Sequence, residues 1–390
     1  MIKKRSLATY TVAHFVVDFS CFYILMGIFS KSVEGINNIT LGFLLYNVIA
    51  FGLQMFIGCF SDIYQVKPFK LAGLGILTVL GALLPGRLLF PWAALILCAA
   101  GNAFFHIGGG TDSLLHANGR VSRCGVFVSS GALGVVLGTV AGRSDISFAV
   151  PALALAVCAG TVYLICRGES SIERPMNVKS GNQPANNTVS KLTNSKPGSS
   201  IGIHLPEFNI GLKSVKTVIY LCLMSIVIRS FVGSEIPIEW KTNTVFFILP
   251  GICAFTGKFA GGFLADKFGA KNIGVLSLLV SIPLLSIFYN HIALCLLGLI
   301  LFNMTMSITL WGVAVQLPEQ PGFAFGLTTF ALLAGNVPTF FFKASETSAP
   351  VILSFLTVCS AACIFIAVNN KRGEKYYDSR NDFLSKKLPT

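Results

Sequence analysis

The sequence predicts an all-α integral membrane protein whose twelve transmembrane helices form two pseudo-symmetric six-helix bundles. Three observations support this fold class. Of the 390 residues, 54% are hydrophobic and only 12% are charged, with a mean hydropathy of +0.74. Soluble domains carry about 25% charged residues. Apolar runs of roughly 20 residues, the length that crosses a bilayer, recur along the whole chain.

The predicted spans fall into two sets of six, which define bundles over residues 1–167 and 213–369. They cover residues 7–29, 39–60, 69–86, 88–108, 124–143 and 147–167 in the first set, and 213–233, 243–263, 271–289, 291–315, 321–342 and 349–369 in the second. Residues 168–212 are rich in Ser, Asn, Pro, Gly and Lys, a composition that predicts a flexible linker. Residues 370–390 predict a polar tail.

The formal net charge of +13 is distributed unevenly. Of the 29 Lys and Arg residues, 22 fall in the termini, the linker and alternate loops. Because basic residues concentrate on the cytoplasmic side of membrane proteins, this predicts a multi-pass protein of the cell membrane with both termini in the cytoplasm. The pattern accounts for the basic charge without a nucleic-acid partner. We expect the lipid bilayer, a small-molecule substrate and protons as partners of a monomeric chain.

The eleven cysteines lie scattered through the predicted helices. They form no CxxC pair, and no histidine spacing suits zinc. The sequence therefore predicts neither a metal site nor a cofactor.

A short motif repeats in the two halves. "GCFSDIYQVK" at 58–67 and "GFLADKFGAK" at 262–271 each follow the second helix of their half. The glycine permits close helix packing, and an aspartate at a helix end can accept hydrogen bonds from backbone amides of a neighbouring helix. The predicted gating residues are Asp62, Gly262, Asp266, Lys267, Gly269 and Lys271. Ile63 and Gln65 interrupt the first copy, so the sequence leaves open whether the N-terminal half contributes an equal gate.

The second copy resembles the loop signature of the major facilitator superfamily. "AHFVVD" at 13–18, together with the Phe-His and glycine-rich segment at 102–138, resembles more narrowly the fosmidomycin-resistance branch of that superfamily. The resemblance implies a secondary transporter whose halves rock about a midplane site. It also implies a central cavity lined by helices 1 and 4, and export of a small antibiotic or toxic metabolite.

Two titratable residues lie within the first span. His14 and Asp18 are four residues apart, so they share one face of helix 1. An ionisable side chain inside the membrane is costly, which makes it a functional candidate. With His106 of helix 4, the resemblance implies a cluster that exchanges a proton in each transport cycle. Alternatively, Asp18 anchors helix 1 to a neighbour and His106 bonds only to backbone.

Other polar residues within the spans are candidates for binding substrate. Arg229 in helix 7 could bind an anionic group, pair with an acidic side chain, or extend toward the membrane surface. Asn303 and Asn336 could line the cavity or join helices. Lys258, near the inner end of helix 8, is predicted to extend toward the surface.

The leading hypothesis is therefore proton-coupled export by alternating access. The chain contains no Walker motif, so ATP is not predicted to drive it. Proton-coupled uptake and a non-transporting scaffold or receptor are the alternatives. An enzyme is not predicted, because no HExxH motif or nucleophile elbow is present.

Overall fold

The fold is known from a computed structural model, in which every described element of regular structure is helical. The described residues are 3–83, 90–169, 214–238, 240, 243–342, 345 and 348–368. The predicted linker from residue 170 onward and the whole predicted tail lie outside these ranges, and so does the part of the third predicted span beyond residue 83.

Twelve apolar helices make up the described part of the chain, as predicted. Their bounds are α1 Arg5–Ser32, α2 Ile36–Ile63, α3 Pro68–Ala82, α4 Pro91–Leu115, α5 Val121–Arg143, α6 Ala149–Cys166, α7 Val215–Glu235, α8 Thr244–Phe268, α9 Ala270–Ser286, α10 Ile292–Ala314, α11 Pro321–Phe340 and α12 Ala349–Ala367. Ten are long and apolar enough to cross a membrane, and α3 and α9 are shorter. The chain is therefore a multi-span membrane protein.

Proline and π-helical turns shape several of these helices. Pro68, Pro91 and Pro321 occupy the first turns of α3, α4 and α11, where a missing N–H costs nothing. Both α1 and α2 contain a π-helical stretch, at Ile24–Phe29 and Val48–Gly52. Such stretches widen a helix locally and often lie beside functional sites.

Glycines allow helices to approach closely within the first bundle. A Cβ atom added to Gly75 of α3 would overlap the backbone of α4 at Phe105, and one added to Gly138 of α5 would overlap the carbonyl of Phe19 in α1. Membrane helices associate through such small residues, because lipid offers no hydrophobic driving force between them. The glycine-rich sequence of α5 is therefore explained by its packing against α1.

The two bundles meet through α2 against α11 and α5 against α8. Gly58 of α2 packs on the backbone of Gly322, and a Cβ on Gly262 of α8 would lie 2.8 Å from Ser122 Cα. These contacts lie where α6 ends and α7 begins, a side of the molecule we call the linker face. The two pairings are equivalent by the internal pseudo-symmetry.

Candidate functional site

A cavity of about 270 Å³ lies between the two bundles. The helices α1, α2, α4 and α5 line it from the first bundle, and α7, α8, α10 and α11 from the second. Its charged and titratable lining residues include His14, Asp18, His106 and Lys258. The cavity thus has the interdomain position at which a fold of two rocking halves places its substrate.

The structure brings the three predicted titratable side chains together in this cavity. His14 Nε2 lies 2.9 Å from His106 Nε2 and 3.3 Å from Asp18 Oδ2. His106 Nε2 lies 3.7 Å from Asp18 Oδ1. All three residues are more than nine-tenths buried. A carboxylate and two imidazoles in mutual contact can hold and exchange a proton, although that role stays a prediction.

Backbone and amide groups fix the orientation of each member of this cluster. His14 Nδ1 contacts the Phe127 carbonyl at 2.8 Å, and His106 Nδ1 contacts the Asn102 carbonyl at 2.9 Å. Asn102 Nδ2 donates to Asp18 Oδ1 at 2.9 Å. Sequence reasoning overlooked Asn102, although its four-residue spacing from His106 repeats that of His14 and Asp18. The predicted backbone bond of His106 is present together with its cluster contacts.

Aromatic contacts join the cluster to the second bundle. The His14 ring stacks on Phe127, with ring centroids 4.7 Å apart. Phe127 in turn meets Phe325 of α11 edge-on at 5.9 Å. Both phenylalanines lie one to two turns from the linker-face ends of their helices. The ring of Phe127 therefore lies between His14 and the second bundle.

Among the described residues, the side chains of these same three residues lie close enough together to hold a metal ion. Their ligand atoms lie within 4.8 Å of one another. The Nε2 atoms are 2.9 Å apart, which is the length of an N–H···N hydrogen bond. Two nitrogen ligands of a tetrahedral zinc ion, each about 2.05 Å from the metal, lie roughly 3.3 Å apart. As arranged, the cluster fits a proton better than a tetrahedral metal.

Two cations lie close to the cavity from the second bundle. Lys258 is half-buried and lines the cavity, so the prediction that it extends to the surface is wrong. Arg229 is 3% exposed, which also excludes surface extension. Its Nη2 donates to Thr309 Oγ1 at 3.0 Å, and Thr309 lines the cavity. Among the described residues, neither cation forms an ion pair with a carboxylate.

The two candidate asparagines lie elsewhere. Asn303 Nδ2 donates to the Leu299 carbonyl at 2.8 Å in its own helix, and its Cβ packs against Gly257 of α8. Asn336 accepts from Ser234 at 3.1 Å near the far end of α11. Neither lines the cavity. In the described structure these two side chains bond within or between helices and do not face the cavity. Joining helices was the alternative that the sequence left open for both.

The two repeated aspartates make equivalent contacts across the interface at the linker face. Asp266 accepts from the Val121 and Ser122 amides at 2.8 and 3.2 Å, at the start of α5. Asp62 accepts from the Gly322 and Phe323 amides at 3.2 and 2.7 Å, at the start of α11. The interrupted first motif therefore forms the same contact as the intact one. Asp62 is also the more buried of the two, at 6% exposure, whereas Asp266 is exposed.

Backbone conformation explains how the first copy tolerates its changes. Gly269 has φ of 91°, a conformation that favours glycine, and Gln65 at the matching position has φ of 52°. Gln65 Nε2 donates to the Asp62 carbonyl at 2.6 Å, which supports its left-handed backbone.

The two lysines of the second copy contact aromatic rings. Lys267 lies 5.1 Å from the ring of Phe268, and Lys271 lies 3.6 Å from the ring of Phe365. These two lysines therefore pack on neighbouring aromatic rings.

Comparison with known proteins identifies the fold. No protein-family model matches the chain, and no curated protein matches it. Among solved structures, the transporter FucP of the major facilitator superfamily, in its outward conformation, aligns at 12% identity with a TM-score of 0.59, covering 93% of this chain and 98% of FucP. A variant of FucP, described as the E. coli fucose:proton symporter, gives 12% identity, the same coverage and a TM-score of 0.60.

A third structure extends the likeness. A bacterial homologue of the iron transporter ferroportin, in an outward-facing state, aligns at 12% identity with a TM-score of 0.56, covering 97% of this chain and 100% of that one. At this identity the likeness concerns the fold alone. The chain has the major facilitator fold, as the sequence resemblance predicted. The fosmidomycin-resistance branch stays a prediction.

Proposed function

We propose that the chain is a secondary transporter that exports a small molecule by alternating access, driven by protons moving inward. The observation that carries this proposal is the buried cluster of His14, Asp18 and His106 in a cavity between the two bundles. Buried titratable groups are costly in a membrane and are kept where a proton or ion is moved. FucP, a protein of like fold, is itself described as a fucose:proton symporter, which supports proton coupling.

The charges around the cavity favour an anionic substrate. Asp18 is engaged by two histidines and Asn102, which leaves Lys258 and Arg229 without a described carboxylate partner. Arg229 Nε also has no hydrogen-bond partner in the described part of the chain. A buried cation without a counter-ion is unfavourable. An anionic group on the substrate, such as a carboxylate, would supply that counter-ion, and the cavity volume lies just below the usual range for small-molecule sites.

We expect Lys258→Gln to weaken transport of anionic substrates. A hydrogen bond to a charged group contributes about 1.5–3 kcal/mol, so KM should rise by roughly tenfold to a hundredfold with little change in the maximal rate. Lys216→Gln, at the exposed start of α7, is the matched control. Uptake of a radiolabelled anion by liposomes containing each variant measures the difference. An unchanged KM would exclude Lys258 from the substrate site.

The paired aspartates are proposed to hold the linker face closed. Each carboxylate accepts two amides at the start of a helix from the other bundle, where the helix dipole favours negative charge. If the linker face is cytoplasmic, as the distribution of basic residues predicts, the described conformation is closed to the cytoplasm. Opening to that side must break both contacts.

The buried contact should matter more than the exposed one. We expect Asp62→Asn to shift the population toward an open linker face by about 2 kcal/mol, roughly thirtyfold, and Asp266→Asn by only about two- to fivefold. Distances between spin labels at Lys70 and Glu319, both exposed on the linker face, report this opening on a cysteine-free background. A larger effect of Asp266→Asn would show that the intact motif, and not burial, sets the strength of the gate.

Uptake by proton symport is the second candidate. It uses the same cluster and cavity, and the fucose:proton symporter provides an example with this fold. Antiport and symport differ in the direction in which protons accompany the substrate. One assay can therefore separate them.

The test uses liposomes that contain the purified protein and an internal pH-sensitive dye. Small organic anions, with neutral analogues as controls, are added outside at equal pH on both sides. Antiport predicts that the interior becomes more alkaline as substrate enters, and symport predicts acidification. Protein-free liposomes give the background. Folded protein that gives neither a pH change nor exchange of radiolabelled anions would contradict transport and favour the scaffold alternative.

A further inference from the structure

We propose that the substrate-free carrier stores a single proton between His14 Nε2 and His106 Nε2, with Asp18 ionised beside it. This inference rests on the proposed proton coupling, but it concerns which atoms hold the proton. The two imidazole rings hold the proton, and the Asp18 carboxylate is their counter-ion. The argument depends on the hydrogen-bond partners of the four ring nitrogens.

The outer nitrogen of each ring must carry hydrogen. His14 Nδ1 faces the Phe127 carbonyl at 2.8 Å, and His106 Nδ1 faces the Asn102 carbonyl at 2.9 Å. A carbonyl oxygen only accepts hydrogen bonds, so each Nδ1 is a donor. In a neutral imidazole with hydrogen on Nδ1, the Nε2 atom is then a bare acceptor.

Only one protonation state lets the two inner nitrogens bond to each other. They lie 2.9 Å apart, within hydrogen-bond distance. Two neutral rings would place two lone pairs against each other. Two imidazolium rings would place two N–H groups and two positive charges against each other in a buried site. One proton between the rings forms an Nε2–H···Nε2 bond and satisfies both nitrogens.

The surrounding charges balance this arrangement. Asp18 lies 3.3 Å from His14 Nε2 and 3.7 Å from His106 Nε2, and Asn102 donates to its Oδ1. One imidazolium and one carboxylate leave the cluster neutral, which a low-dielectric site favours.

Other titratable groups lie around the cluster. They are Cys21 on α1, Tyr46 on α2, Cys98 on α4 and Lys258 on α8. From α5, the backbone and ring of Phe127 and the space at Gly131 face the cluster. The α10 and α11 residues that line the cavity are not titratable. Arg229 of α7 is buried beside the cavity, where it donates to Thr309. Lys258, the cation that lines the cavity, disfavours a second proton on the histidine pair.

Release of the stored proton changes the contacts of the pair. The proton leaves for water in the cavity, the two Nε2 lone pairs then face each other, and Asp18 loses its counter-ion. The rings must separate or recruit new donors. Since His14 stacks on Phe127, and Phe127 touches Phe325 across the interface, this separation acts where the bundles meet.

The test is a nitrogen NMR experiment on full-length protein in lipid nanodiscs, with 15N in the histidine rings. The chain has five histidines, so His14→Gln and His106→Gln assign the pair, and His291→Gln, on an exposed residue, is the matched control. Near neutral pH we expect hydrogen on both Nδ1 atoms and a scalar coupling between the two Nε2 nitrogens through one shared proton. Either pair variant should abolish this coupling, and the control should retain it.

Spectra of two neutral rings without a coupling between their Nε2 atoms would overturn the inference. Hydrogen on either ring only at Nε2 would also overturn it, because the Nδ1 contacts would then be misassigned. The experiment needs no transport. A shared proton in a protein without flux would refute the proposed function alone, and proton-coupled flux without a shared proton would refute this inference alone.

Discussion

Replacing Asp18 by asparagine should abolish substrate-dependent proton flux while leaving substrate exchange intact. The asparagine keeps the size of the side chain and can still bond to Asn102, but it removes the negative charge beside His14 and His106. Removing one partner of a buried ion pair costs about 3–5 kcal/mol. This corresponds to at least a hundredfold loss in the fraction of carriers that hold the proton. Dye-loaded liposomes measure the flux, and exchange of radiolabelled for unlabelled substrate measures movement without a proton.

Asp145→Asn is the matched control for this variant. Asp145 is exposed and forms an ion pair with Lys31, away from the cavity. Its flux should match that of the unaltered protein. If Asp18→Asn keeps proton flux within a few-fold of that value, Asp18 serves only to anchor α1 to its neighbours, and the coupling group lies elsewhere.

Replacing Gly131 by alanine should have a comparable effect without changing any charge. A Cβ atom at this position would overlap both Asp18 Oδ2 and His14 Nε2, so these two atoms can keep their observed positions only if α5 has no side chain there. The methyl group would push these two polar ends apart. Displacement of reacting groups by about 1 Å can cost a hundredfold in rate, and we expect a loss of that order in proton flux.

Gly160→Ala separates this effect from a general effect of alanine in a membrane helix. A Cβ on Gly160 of α6 would meet no atom within 4 Å. Melting temperature and chromatographic profile establish that both variants fold. Folded Gly131→Ala protein with normal flux would show that the observed contacts of His14 and Asp18 are not needed for coupling.

Hydropathy alone predicted the twelve helices, because the bilayer fixes both their length and their composition. It placed the end of α4 near residue 108, whereas the helix continues to Leu115. The run of glycines at 108–110 would weaken an isolated helix. Here Gly108 packs on the backbone of α3 at Ala72, and Gly110 packs on the ring of Phe325. Tertiary packing therefore extends the helix, which no local pattern reveals.

The part of the candidate site that depends on spacing along one helix could be predicted from the sequence. The four-residue spacing of His14 and Asp18 placed both on one face of α1, and the family resemblance brought His106 to them. Lys258 was placed wrongly, because the sequence of α8 does not say which of its faces lines the cavity. Asn303 was over-interpreted, since a polar side chain in an apolar helix can bond to a carbonyl of its own helix.

The interrupted first copy of the repeated motif also shows that sequence differences alone do not reveal which contacts between helices are kept. Ile63 and Gln65 depart from the second copy, yet Asp62 binds two amides of α11 as Asp266 binds two of α5. The carboxylate and the close packing at Gly58 suffice for the contact. The residues that differ lie beside the contact and do not form it, so both halves make the contact, and an equal gating role for the two halves stays a prediction.

We propose that one proton is exchanged for each substrate molecule, and the steady-state substrate gradient in liposomes measures this ratio. Liposomes are prepared with a difference of one pH unit, and potassium with valinomycin holds the membrane potential at zero. One pH unit stores about 1.4 kcal/mol per coupled proton, which supports a tenfold ratio of substrate concentrations. We predict a tenfold higher concentration on the acidic side, where antiport drives the substrate. Equal concentrations on both sides would contradict proton coupling, and a hundredfold ratio would contradict the single stored proton.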